Sequence, residues 1–128
     1  MYYELDERIG KRKQSQKKLL RVTFPDGVVL CYKNVTMTFV EALRKIGVDK
    51  LQNVQLEVYK HPIITREIYK GYEADIKPLD NGWYVHACGD STEKYLRLTT
   101  IIKQLELEGI KVEIGTDFET SSVKGFTK

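Results

Sequence analysis

The sequence predicts an α+β fold: a β-hairpin, then a βαβ–βαβ-like order of elements, with a sheet of four or five strands and two main helices on one face. Three patterns lead there. Residues 19–32 place two β-prone runs around Pro25-Asp26-Gly27. Two later segments repeat apolar residues at three- and four-residue spacing, the period of a helix with one buried stripe. Two others alternate apolar and polar residues strictly, the period of a half-buried strand.

Taken in order, Leu20, Val22 and Phe24 alternate with polar or mixed neighbours, and Val28-Val29-Leu30-Cys31-Tyr32 answers them across the Pro-Asp-Gly turn. Thr38-Phe39-Val40-Glu41 has the hydroxyl-x-x-Glu pattern of a capping box, and Phe39, Leu43 and Ile46 continue a helical stripe that stops at Gly47. Residues 54–59 read as a third strand, with Val54, Leu56 and Val58 facing the core and Gln55, Glu57 and Tyr59 facing away. His61-Pro62 breaks that strand, residues 64–69 suit about two turns of helix, and residues 77–82 carry loop chemistry. Residues 83–88 form a short β-prone run. Asp90-Ser91-Thr92-Glu93 then opens the best helix of the chain, with Tyr95, Leu98, Ile101, Ile102 and Leu105 on one stripe up to Glu108-Gly109. Residues 110–114 make the final strand. The domain reading is a basic N-terminal arm or helix over 1–18, one α+β domain over 19–119 and a flexible tail over 120–128.

A chain of 128 residues, 41% of them hydrophobic, is long enough to bury a core as a single domain. No run approaches the length of a membrane span and the N-terminus has no signal-peptide core, so the expectation is a cytoplasmic protein with no membrane partner. Two cysteines, Cys31 and Cys88, are too few for a disulfide framework. The net charge of +3 is unevenly placed. Residues 1–21 hold seven bases and three acids, whereas the remaining 107 residues hold 14 bases and 15 acids. The bases Arg8, Lys11, Arg12, Lys13, Lys17, Lys18 and Arg21 follow one another with no acid between them. A run of like charge of this kind is an electrostatic contact for nucleic-acid phosphates, or a solvated helix favoured by its own dipole.

The most chemically loaded stretch is residues 83–90. On an extended strand Tyr84, His86 and Cys88 share a face, and Cys88 lies just before a helix N-terminus, where the positive dipole end favours a thiolate. A histidine beside such a cysteine supplies the minimal parts of a nucleophile, while the bland alternative is a packed cysteine. Lys94 follows Cys88 at the cysteine-x5-base spacing of phosphate loops, but it replaces the arginine those loops use and only Gly89 supplies glycine. Cys31, Cys88, His61 and His86 form no spaced metal-ligand set, and no GxGxxG or Walker pattern occurs; no metal and no cofactor are expected. Eight tyrosines are many for this length, and Tyr59 and Tyr84 fall on the strand faces turned away from the core. If residues 60–81 lie aside, these two and His86 form an open aromatic face suited to stacking or protein contact; if the connector folds over it, they pack.

Val22-Thr23-Phe24-Pro25-Asp26-Gly27, Gly82-Trp83-Tyr84-Val85 and Lys111-Val112-Glu113-Ile114-Gly115 resemble runs in small uncharacterised bacterial proteins, some linked to mobile or defence-related DNA. The resemblance covers most of the chain after the arm. It implies a nucleic-acid setting and carries over no functional residue.

The expected function is therefore a non-enzymatic binding module, nucleic-acid-associated through the basic arm. A protein–protein module or homodimer is the alternative, and a small cysteine-dependent enzyme using Cys88 with His86 is a third.

Overall fold

The computed structural model describes residues 18–116 and 118–120. The arm bases Arg8, Lys11, Arg12, Lys13 and Lys17, and the expected tail from residue 121 onward, lie outside the described residues.

The hairpin forms where the turn chemistry put it. β1 (Leu19–Thr23) pairs antiparallel with β2 (Val29–Leu30), with Val22 opposite Leu30. The Phe24 and Gly27 amides donate to Val28 and Phe24 carbonyls (2.8 and 2.9 Å) and close the Pro-Asp-Gly turn. β8 (Lys111–Gly115) covers the other edge of β1 over its whole length, from Leu19 opposite Gly115 to Thr23 opposite Lys111. The alternation has the predicted sense, since Leu20 and Val22 are fully buried. α1 (Val35–Ile46) and α3 (Ser91–Gln104) both pack against β1 and against each other.

α1 starts earlier than its sequence suggests. Asn34 is the N-cap, its side chain accepting from the Met37 amide (3.1 Å). Thr38 is fully buried one turn inside the helix, and its hydroxyl oxygen accepts from the Tyr32 amide (2.8 Å). The hydroxyl thus serves the end of the hairpin instead of a capping box. α1 ends at Gly47, whose φ of 102° few other residues adopt, and a short α2 (Val48–Leu51) that was not anticipated follows at once. α3 has the capping box read from the sequence: Asp90 accepts from the Glu93 amide (2.9 Å) and Glu93 accepts from the Asp90 amide (3.0 Å). It stops at Gln104, short of Glu108-Gly109.

Residues 54–86 depart furthest from expectation. In place of one sheet of four or five strands, the described residues form three small antiparallel sheets. The strand expected over 54–59 shrinks to β3 (Glu57–Val58), although its facing is right: Val58 is buried while Gln55, Glu57 and Tyr59 are exposed. The reason is local. The Gln104 side-chain amide bonds both backbone groups of Gln55 (2.8 and 2.9 Å), where a neighbouring strand would stand. A two-residue turn at Tyr59-Lys60 then reverses the chain into β4 (His61–Pro62), so His61-Pro62 continues the pairing it was expected to break. The helix expected over 64–69 is absent. Ile64–Thr65 is β5, and the Thr65 hydroxyl takes the Glu67 amide (3.0 Å), which diverts the backbone from helix. β5 and β6 (Ile76–Pro78) flank β7 (Tyr84–His86) on its two edges.

One hydrophobic cluster joins these pieces, running from Leu20 and Val22 through Phe39 and Leu43 to Ile63, Val85, Leu98 and Ile101. Among the described residues, no helix is long and apolar enough to cross a membrane.

Candidate functional site

β7 is the middle strand of its sheet, so both of its edges are paired, and its two faces carry different covers. Val85 enters the main core and is fully buried. His86 points the other way, as alternation requires, yet it too is fully buried, because the connector supplies a second cover. Of the two alternatives for residues 60–81, the connector folds over this face: His86 is buried beneath it and Tyr84 is half-buried, while Tyr59 stays exposed.

The cover is aromatic. The Tyr72 amide donates to the Tyr69 carbonyl (3.0 Å), and this turn brings both rings over His86, with centroids 5.1 Å (Tyr72) and 6.0 Å (Tyr69) from the imidazole. From the β3–β4 hairpin, Tyr59 reaches His86 edge-on at 6.1 Å and stacks on Tyr72 at 5.8 Å with 20° between the rings. His61 stacks on Tyr69 at 4.1 Å, and the Tyr69 hydroxyl donates to the Pro62 carbonyl (3.0 Å). Five aromatic rings thus enclose one another, with His86 innermost and Tyr59 outermost at 59% exposed.

Two features of this cluster are costly. Tyr59 and Lys60 have φ of 53° and 69°, a left-handed turn that usually recruits Asn and Gly, and the strain is about 1–2 kcal/mol per residue. Neither Nδ1 nor Nε2 of His86 has a hydrogen-bond partner among the described residues. An unsatisfied buried polar group costs about 1–3 kcal/mol. Burial pushes the imidazole below its ordinary range; Asp75 opposes this, and His61 and Arg97 reinforce it. The ring is held neutral.

Cys88 lies past the end of β7 and is buried, as is Cys31, and both thiols are free. The structure does not pair it with His86, whose nitrogens bond nothing among the described residues. Cys88 faces two cations of α3 instead. Arg97 Nη1 donates to the Cys88 carbonyl and lies 3.5 Å from its Sγ. Lys94, only 5% exposed, donates its amine to the Gly89 carbonyl, and burial pushes its pKa down. The sequence carried a signal for this burial, since Lys94 stands four residues before Leu98 and seven before Ile101 on the buried stripe. The cysteine-x5-lysine spacing builds no phosphate cradle, because α3 begins at Ser91 and leaves only Gly89 and the Asp90 cap between Cys88 and the helix. A cleft of about 500 Å³ opens beside this loop between the N-terminal ends of α1 and α3. Lys33, Lys94 and Asp90 are among the residues that line it, and the capping box already occupies the Glu93 amide.

Gly89 is the tightest point of this loop. Its φ is +97°, and a Cβ there would lie 2.6 Å from Glu93 Oε1 and 2.7 Å from Arg97 Nη1. Gly89→Ala is expected to break the capping box and move Arg97 from Cys88, lowering stability by about 2 kcal/mol. The readout is a lower denaturant midpoint with an unchanged m-value.

Lys18 is exposed just before β1, its carbonyl accepting from the Ser91 hydroxyl (2.7 Å). Arg21 is committed within the sheet: Nε bonds Glu113 Oε1 at 2.8 Å and the guanidinium lies 4.1 Å from the Phe118 ring centroid. That hydrogen bond raises the Arg21 pKa and lowers that of Glu113. Among the described residues, no three His, Cys, Asp or Glu side chains gather as a metal site. No protein-family model, curated protein or solved structure matches the chain.

Proposed function

We propose that the protein is a non-enzymatic binding module for single-stranded nucleic acid, with the Tyr59 ring and its neighbours as the stacking surface. One observation carries the reading: Tyr59 sits 59% exposed on a strained turn, with a near-parallel tyrosine behind it. A tyrosine held on a left-handed turn with its ring outward and a second ring stacked behind it offers a ready platform for a further ring. Stacking accepts any base, because every base has a π-face.

Charge divides the work. Lys60 and Lys70, next to Tyr59 and Tyr69 in the chain, are exposed, but so are Glu57 and Glu73 close to Tyr59 and Tyr72. The cluster therefore has little net attraction for phosphates of its own. Backbone attraction falls to the basic residues 8–18, which makes it sequence-independent and sensitive to salt.

Binding of a fluorescent single-stranded oligonucleotide to the full chain tests this. Tyr59→Ala is expected to weaken binding by about 5- to 150-fold, the equivalent of about 1–3 kcal/mol for a lost base stack, and Tyr59→Phe to retain it. Neutralising Lys11, Arg12 and Lys13 to glutamine is expected to flatten the salt dependence and leave the Tyr59→Ala ratio unchanged. Binding that is indifferent to Tyr59, or equal for a duplex of the same length, rejects the reading.

A further inference from the structure

We infer that His86 reads the edge of the stacked base: an unpaired nucleobase enters between Tyr59 and Tyr72 and hydrogen-bonds a ring nitrogen of His86. This rests on the stacking role assigned above to Tyr59, and goes beyond it by giving the site base selectivity.

The His86 side chain is fully buried, and both ring nitrogens lack a partner among the described residues. Buried polar groups in folded proteins are nearly always satisfied, and an exception calls for a reason. Here the orphaned group stands behind the ring best placed to move. Tyr59 is the exposed member of the cluster, on a two-residue turn whose backbone is left-handed at both positions. The rings of Tyr59 and Tyr72 are already near-parallel, at 20°, with centroids 5.8 Å apart. The two rings are already stacked on each other, so a base between them requires Tyr59 to move outward by about one ring thickness, roughly 3.4 Å, and Tyr59 is the exposed ring of the pair. Tyr72 is also the ring nearest to His86, at 5.1 Å, so a base lying on its face brings an edge towards the imidazole.

The chemistry of the group narrows the ligand. A neutral imidazole offers one N–H donor and one acceptor nitrogen, the complement of the ring nitrogens, carbonyls and amino groups on a base edge. A quaternary ammonium or methylated lysine, the usual occupant of an aromatic box, is disfavoured because the imidazole already fills the centre of this one. A purely apolar guest would leave both nitrogens unpaired.

The test uses the full chain and four labelled oligonucleotides of equal length, each built from one base. Wild type is expected to prefer at least one of them by about tenfold, the discrimination a well-placed base-edge contact gives. His86→Phe is expected to bring all four within about twofold of one another, close to the weakest wild-type affinity. In parallel, the imidazole nitrogen resonances of wild-type His86 are expected to shift on adding the preferred oligonucleotide and to stay put with the weakest, a readout that does not depend on the variant folding. Equal binding of all four bases, selectivity that survives His86→Phe, or unmoved His86 resonances would each overturn the inference. Those outcomes leave the stacking role intact if Tyr59→Ala still weakens binding. Binding indifferent to Tyr59 removes both.

Discussion

Phe39→Ala is expected to lower the unfolding free energy by about 3–5 kcal/mol, a large part of the roughly 5–15 kcal/mol that holds a domain together. Phe39 is fully buried on α1, within the cluster that also holds Leu20 and Val22 of β1 and Leu98 and Ile101 of α3. The strands give little stability that is independent of this cluster. β2, β3, β4 and β5 are two residues each, and β6 and β7 three, so their ladders contribute few hydrogen bonds. What keeps three small sheets in one body is apolar contact, and Phe39 is among its largest side chains. The truncation leaves a hole that a close-packed interior fills only in part. Urea unfolding followed by circular dichroism measures the loss. Leu96→Ala, at a position 55% exposed on α3, is the control and is expected to stay within about 0.5 kcal/mol of wild type. A Phe39→Ala midpoint equal to that of the control would mean that the connector sheets stand without the main core.

The elements legible in the sequence are those whose cause is local. Pro25-Asp26-Gly27 specifies a turn by its own backbone preferences, and Asp90 with Glu93 closes a capping box within four residues, so the hairpin and the start of α3 follow from neighbours alone. Residues 54–86 were not legible, because distant residues decide them. Gln104 satisfies the backbone of Gln55 from 49 positions away, and the strands at Ile64 and Ile76 exist only through pairing with β7. Thr38 shows the same limit at a single residue: its spacing from Glu41 matches a capping box, but the hydroxyl is claimed by Tyr32. At the candidate site, the crowding of tyrosines near the connector and the exposure of Tyr59 could be read from composition and alternation. The burial of His86 was legible only as one of two alternatives, the connector folded over the face or lying aside. Alternation says which way a strand residue points, and only the fold of the connector says what lies there.

The second large effect belongs to that residue and is a matter of pH. As pH falls below about 6.5, wild-type stability is expected to drop by up to about 1.4 kcal/mol per pH unit more than that of His86→Phe. In the unfolded chain the imidazole takes its proton near the ordinary value of 6.5, whereas in the fold burial pushes its pKa below that. Between the two values the unfolded state binds more protons, so acidification favours it; below the folded value the extra slope ends. The surroundings set the sign. Asp75 pulls the pKa up, His61 and Arg97 push it down, and the facing rings of Tyr59, Tyr69 and Tyr72 bring no charge to offset the loss of water. Carboxylates that titrate in the same range are common to both proteins and cancel in the comparison. Parallel stability curves for wild type and His86→Phe between pH 7.5 and 5 would show that the imidazole is satisfied in solution, by water or by the loosening of Tyr59. The inner face of the cluster would then be open without a ligand, and the unpaired nitrogens would no longer argue for a base.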